Sequence, residues 1–90
     1  MEDKILYRIH VKGRVQGVGF RYSAVREARS RGITGFVKNQ YDGSVYIEAE
    51  GLQEQLLEFV EWCRKGPGFV KSVTADPGEV ENYPDFTVEY

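Results

Sequence analysis

Residues 5–21, I-L-Y-R-I-H-V-K-G-R-V-Q-G-V-G-F-R, decide how this chain folds. Ile5, Tyr7, Ile9 and Val11 alternate with Arg8, His10 and Lys12, the period-two pattern of a half-buried strand. From Arg21 the period changes. Residues 21–31 are rich in Arg, Glu and Ala, with Tyr22, Val25 and Ala28 or Arg29 at helical steps. Gly32 stands where a helix-ending glycine belongs. Between strand and helix lies G-R-V-Q-G-V-G-F-R, residues 13–21. A glycine-bearing turn there presents successive backbone N–H groups at a helix N-terminus, a cradle for a phosphate-like anion. Gly17 and Gly19 let the backbone bend and approach a ligand. Arg21 adds a planar, permanently charged fork suited to bidentate phosphate contacts.

Beyond Gly32, residues 33–39, I-T-G-F-V-K-N, read as a second strand. Tyr41-Asp42-Gly43 marks a turn before Ser44–Glu50, where Val45, Ile47 and Ala49 share one face. The two strands read as a hairpin. Leu52, Leu56, Phe59, Val60 and Cys63 recur at three- and four-residue steps, which predicts an amphipathic helix over 52–65. Gly66-Pro67 stops it. Val70–Asp76 is a weaker strand, Pro77-Gly78 and Asn82–Asp85 read as loops, and Phe86–Tyr90 alternates as a closing strand. The order β-α-β-β-α-β predicts an α+β, ferredoxin-like sandwich, with two helices on one face of an antiparallel sheet. That fold hosts enzymes, RNA binders, metal carriers and regulatory modules, so the site must decide the function.

Ninety residues make a single domain, 1–90, that buries roughly 60–65% of its unfolded surface. The net charge is −2 and the pI is near 5.4, which argues against nucleic-acid or membrane partners. No apolar run is long enough to span a bilayer, and Met1-Glu2-Asp3-Lys4 is polar. A cytoplasmic monomer is the expectation. One cysteine and one histidine exclude an intramolecular disulfide and the usual structural zinc site. Neither a metal nor a cofactor is expected.

Rival readings of the loop fail on particular residues. A dinucleotide-binding turn needs a third glycine where Tyr22 stands, and a P-loop needs a Gly-Lys-Ser/Thr ending. Arg31–Val37 loosely echoes an RNA-binding strand, but Ile33 and Gly35 occupy its aromatic positions, and it falls on the second strand rather than the third. Bland roles exist for the singled-out residues too. Arg21 could be a solvated helix residue, and Asn39 could serve only the turn. His10 reads as surface and Cys63 as core. Trp62 and the tyrosines read as packing or edge residues, and Arg26, Arg29 and Arg31 as a solvated helix face. Glu48 and Glu50 share a strand face, which alone does not make a catalytic pair.

Two motifs resemble a known family. G-R-V-Q-G-V-G-F-R, residues 13–21, resembles the first signature of the acylphosphatases, and G-F-V-K-N-Q-Y-D-G-S-V-Y-I-E-A-E-G, residues 35–51, resembles the second. The resemblance covers essentially the whole chain, although nothing beyond Gly66 is diagnostic. It implies hydrolysis of the carboxyl–phosphate bond of small acyl phosphates. It implies that Val15, Gln16, Gly17, Val18, Gly19, Phe20 and Arg21 hold the phosphate, and that Asn39 positions the attacking water. Inorganic phosphate, the product, should then inhibit. Such domains also occur attached to larger maturation enzymes that handle carbamoyl groups, so a non-enzymatic module is the alternative.

The chemistry agrees with these residue types. An acyl phosphate is a mixed anhydride whose carboxylate departs without a proton from the enzyme. Phosphoryl transfer through a loose transition state needs mainly alignment and charge stabilisation. Backbone N–H donors and one arginine supply both. The amide of Asn39 can orient a water but is a poor base, so the proton passes to a phosphate oxygen or to the departing carboxylate. The lack of a clear catalytic histidine or carboxylate pair suits such substrate-assisted attack, with neither metal nor covalent intermediate.

Overall fold

The alternation of residues 5–11 becomes β1 (Ile5–Arg14) in a computed structural model that describes residues 3–90. After it come α1 (Phe20–Ser30), β2 (Thr34–Asn39), β3 (Val45–Gly51), α2 (Gln53–Lys65), β4 (Phe69–Gly78) and β5 (Phe86–Glu89). The strands form one sheet in the order β4-β1-β3-β2-β5. Ile9, Val11, Val37, Val45, Ile47 and Ala49 bury against the helices, as strand alternation requires. From α2, the stripe Leu56, Phe59, Val60 and Cys63 closes the core. The Phe59 ring sits 5.9 Å from Phe86 and 5.8 Å from Trp62, so α2 is tied to the closing strand by aromatic contacts. Cys63 is a core residue, and burial pushes its thiol up to about 12, which keeps it unreactive.

Three details depart from the sequence reading. The buried face of α1 is Phe20, Ala24 and Ala28, not the stripe through Tyr22. Two alanines let the helix backbone lie close to the sheet, while Phe20 turns toward Trp62 at 5.3 Å, leaving Tyr22 exposed. Pro77 and Gly78 belong to β4. This is an edge strand, where the missing N–H of proline is tolerated.

The third departure is in the sheet itself. β1 pairs antiparallel with β3 and β4, and β3 antiparallel with β2, but β5 runs parallel to β2. The sheet is therefore mixed, and the path of the chain explains it. β4 ends beside the start of β1, with Gly78 opposite Leu6. Residues 79–85 then cross the end of the sheet to reach Gly35 at the start of β2, where the Gly35 N–H donates to the Asp85 carbonyl. From there β5 has only one way to go, back along β2. It delivers Tyr90 beside the far end of that strand, next to Asn39. Among the described residues, no helix is long and apolar enough to cross a membrane.

Candidate active site

Val15 and Phe20 are buried at the two ends of the β1–α1 loop and anchor it to the core. Between them Gly17 and Gly19 take left-handed φ angles of 74° and 80°. A side-chain Cβ at either would meet open space, so the demand for glycine there is conformational, not steric. Left-handed residues spaced in this way turn successive N–H groups toward one side of the loop. Gly19 is also the N-cap of α1 and has no side chain to cap it, and the first turn of α1 carries no acidic residue. The N–H groups of a first helical turn have no acceptor within the helix. The positive end of α1 is therefore left open to an external anion.

Neighbouring elements hold the cradle in place. The Gln16 Nε2 donates to the carbonyls of Gln40 at 2.8 Å and Ser44 at 2.9 Å. These bonds fasten the loop to the β2–β3 turn. That turn is closed by the Gln40 N–H donating to Ser44 and by the Asp42 carboxylate accepting from the Ser44 N–H and hydroxyl. The Ser44 hydroxyl bond is the main reason the Asp42 carboxyl is held below its ordinary value. Gly68, at φ 83°, lets the β4 side approach closely, since a side chain there would overlap the Arg14 carbonyl and press on Val18.

A cavity of about 170 Å³ opens over this junction, lined by Val15, Gly17, Gly19, Phe20 and Arg21, with Tyr22 and Asn39 completing it. Arg21 and Asn39, far apart in sequence, thus face one small space. Arg21 forms no ion pair among the described residues; its guanidinium carbon lies 5.2 Å from the centre of the Tyr90 ring, a cation–π distance. Asn39 Oδ1 is buried and has no hydrogen-bond partner among the described residues. A buried acceptor without a donor is uncommon in a folded protein and calls for an explanation.

The other expected site residues are placed differently. The side chain of Gln16 is spent on the turn and borders a second, larger groove, so any contribution to anion binding comes from its backbone. Val18 is exposed on the loop and is absent from the cavity lining. Sequence reasoning missed Tyr22 and Tyr90. Their hydroxyls lie 3.2 Å apart, and this bond, more than any other influence, raises the Tyr90 phenol above its ordinary value. Tyr22 could have been suspected from its place next to Arg21 in the first turn of α1. Tyr90 carries no local signal, because only the parallel pairing of β5 brings it here.

The remaining candidates are not at the site. Glu48 accepts from the hydroxyls of Tyr46 and Tyr83 on the open face of the sheet, while Glu50 is buried under residues 81–83. Arg29 pairs with Asp85, and Arg31 with Glu27 and Glu58, so that cluster ties α1 to its surroundings.

Scaffold and cavity together define a small α+β protein whose strand–helix junction can hold a small oxyanion. Comparison with known proteins narrows the class. The family model described as Acylphosphatase matches residues 7–88. An acylphosphatase of Archaeoglobus fulgidus is 47% identical over 88 residues, spanning 96% of this chain and 99% of that one. The crystal structure of acylphosphatase from Bacillus subtilis superposes with a TM-score of 0.92 at 42% identity, over 96% of this chain and 99% of that one. Full-length HypF in its phosphate- and nucleotide-bound form contains a similar fold, with a TM-score of 0.89 at 25% identity over 100% of this chain but 12% of that one. The chain belongs to the acylphosphatase family of enzymes.

Proposed function

We propose that the loop amides of residues 15–20 and Arg21 hold the phosphoryl group of an acyl phosphate while Asn39 orients the attacking water. The observation that carries this reading is that Arg21, the glycine loop and Asn39 line one small cavity. A water held at the cavity by a hydrogen bond with the Asn39 side-chain amide is pinned with a lone pair free to attack phosphorus. The water oxygen bonds to phosphorus as the bond from phosphorus to the acyl oxygen breaks. The dianionic acyl phosphate and water become a carboxylate and dihydrogen phosphate, both protons of the water remaining on phosphate oxygens. No enzyme acid is needed, because the carboxylate is a stable leaving group.

Arg21 and the loop N–H groups neutralise the charge spread over the equatorial oxygens, the main demand of a loose transition state. Nothing in this scheme requires a metal or a covalent intermediate. The scheme suits the donor set: among the described residues no three His, Cys, Asp or Glu side chains converge.

The testing experiment follows acetyl phosphate hydrolysis by the purified protein in excess EDTA, with and without added Mg²⁺, beside folded Asn39→Ala. Full activity in EDTA is expected. Turnover of Asn39→Ala should fall roughly 10²-fold, the scale of one lost transition-state hydrogen bond, while phosphate affinity is retained. Loss of activity in EDTA with recovery on Mg²⁺ would overturn the metal-free scheme. Unchanged turnover in Asn39→Ala would remove that residue from it.

A further inference from the structure

The formal net charge of −2 hides a strong asymmetry. β1, β2 and α2 end, and β3, β4 and α1 begin, at the cradle end of the molecule. Lys12, Arg14, Arg21, Lys38, Lys65 and Lys71 stand in these terminal stretches. Facing them are Asp42 in the β2–β3 turn and Glu89 on β5. The opposite end is acidic. It carries Glu50, Glu54, Asp76, Glu79, Glu81 and Asp85 against Lys4, Arg8 and Arg29, while Arg31 there is matched by Glu27. An acidic protein thus surrounds its candidate site with positive charge.

Three of these cations have no part in the catalytic scheme. Lys12, Arg14 and Lys71 are exposed and form no ion pair among the described residues. Arg14 ends β1 and directly precedes Val15 of the cradle loop. Lys71 runs close to Gly13, where an added Cβ would come within 2.7 Å of the Lys71 nitrogen. Lys12 stands beside Ser72 in register. The three therefore cluster where β1 and β4 meet the cradle, yet none of them lines the phosphate cavity. Elsewhere the chain pairs its surface cations with carboxylates, at Arg29, Arg31 and Arg64. Like charges gathered without partners repel one another and destabilise the folded state. An incoming anion relieves that repulsion.

We propose that Lys12, Arg14 and Lys71 form an electrostatic funnel that draws phosphate-bearing anions into the cradle without touching them. The proposal rests on the reading of the small cavity as an oxyanion site. A field of this kind acts through water over about 10 Å and is screened by salt. It pulls equally on a dianionic substrate and on a transition state of the same charge. Its effect therefore falls on KM and leaves kcat unchanged.

The test measures KM and kcat for acetyl phosphate, and Kd for inorganic phosphate by calorimetry, in the wild-type protein and in the triple variant Lys12→Gln, Arg14→Gln, Lys71→Gln. Salt is varied from about 0.01 M to 1 M, which shortens the screening length from about 30 Å to 3 Å. At low salt the triple variant should raise KM and phosphate Kd together, about three- to tenfold, near the low end of what charge focusing supplies. At 1 M salt the two proteins should converge. The charge-keeping variant Lys12→Arg, Arg14→Lys, Lys71→Arg should match wild type throughout, since the field depends on charge and not on shape. Equal KM and Kd at low salt would overturn the funnel. A difference that persists at 1 M salt would replace it with a direct contact, and a fall in kcat would assign these residues to the chemistry or to the shape of the cradle. If phosphate binds as expected but acetyl phosphate is not hydrolysed, the funnel stands and the hydrolytic reading fails.

Discussion

Two parts of this molecule invite comparison as oxyanion cradles: one holds a carboxylate of its own chain, and the other is the one proposed to hold a phosphoryl group. At one end of the sheet, residues 81–83 point their N–H groups at a carboxylate of the same chain. Glu50 accepts from Glu81, from Asn82 at 2.9 Å and from Tyr83 at 2.8 Å, with the Thr34 hydroxyl at 3.5 Å. Glu50 is 1% exposed, so this anion is a permanent part of the fold. At the other end, the loop of residues 15–19 and the open first turn of α1 have no internal carboxylate among the described residues. Donor geometry alone does not separate a structural anion site from a functional one. What separates them is whether the chain supplies its own anion.

The filled site supports the open one through the fold. Glu50 grips the segment that carries the chain from β4 to β5, and β5 then brings Tyr90 to Arg21. The aromatic ring limits where the Arg21 side chain can point while leaving its donors free for a ligand.

The comparison can be broken most sharply at the open site. Arg21→Ala should lower kcat/KM for acetyl phosphate by roughly 10³-fold, the upper end of the effect of losing a transition-state donor, and should weaken phosphate binding as well. Arg21→Lys should recover little, because an ammonium lacks the planar fork. Near-normal kinetics in folded Arg21→Ala would mean that the open cradle works without its side-chain cation.

Next comes the filled site. Glu50→Gln replaces a charged double acceptor with an amide whose NH₂ must face backbone donors. Stability should fall by about 2–4 kcal/mol, read as a lower denaturant midpoint at unchanged slope. The folded fraction should keep its phosphate affinity. A loss of affinity equal to that of Arg21→Ala would show that the two ends are not separable.

A smaller effect concerns ligand. Inorganic phosphate should slow hydrogen exchange of amides 15–21 and compete with acetyl phosphate, while amides 81–83 exchange at the same rate with or without it. At a phosphate concentration ten times its Kd the protection corresponds to about 1.4 kcal/mol. Protection of 81–83 without competition would place the anion at the wrong end.

The smallest effect is a pH dependence on the open sheet face. Burial, then the hydrogen bond to Glu48, pushes the Tyr46 phenol from 10.0 up to about 12. A raised folded value means that this contribution to stability is complete below pH 10 and is lost as the pH climbs toward 12. Burial would by itself raise the Glu48 carboxyl, but hydrogen bonds from Tyr46 and Tyr83 prevail and hold it below 4.5. Its contribution is present above that value and fades on acidification. Denaturant midpoints measured across pH should therefore decline at both extremes. Tyr46→Phe should flatten the alkaline decline; an unaltered slope would assign it to other groups.

Much of this was written in local sequence. Alternation in residues 5–11 and 44–50, the apolar stripe of α2, and the glycine-bearing loop before Arg21 are short-range patterns. They follow from side-chain periodicity and from the few conformations a backbone allows, so β1, β3, α2 and the cradle could be read directly. The face of α1 was misjudged because helical spacing fits more than one stripe, and only the close seat of Ala24 and Ala28 on the sheet decides which is buried. The direction of β5 was not legible, because it depends on where residues 79–85 cross the sheet, a contact between segments far apart in the chain. For the same reason the roles of Glu50 and Tyr90 were invisible. Sequence put forward the glycine loop, Arg21 and Asn39 as the candidate site; tertiary structure alone brought Asn39 and Tyr90 to Arg21, because strand pairing joins residues that no local rule connects.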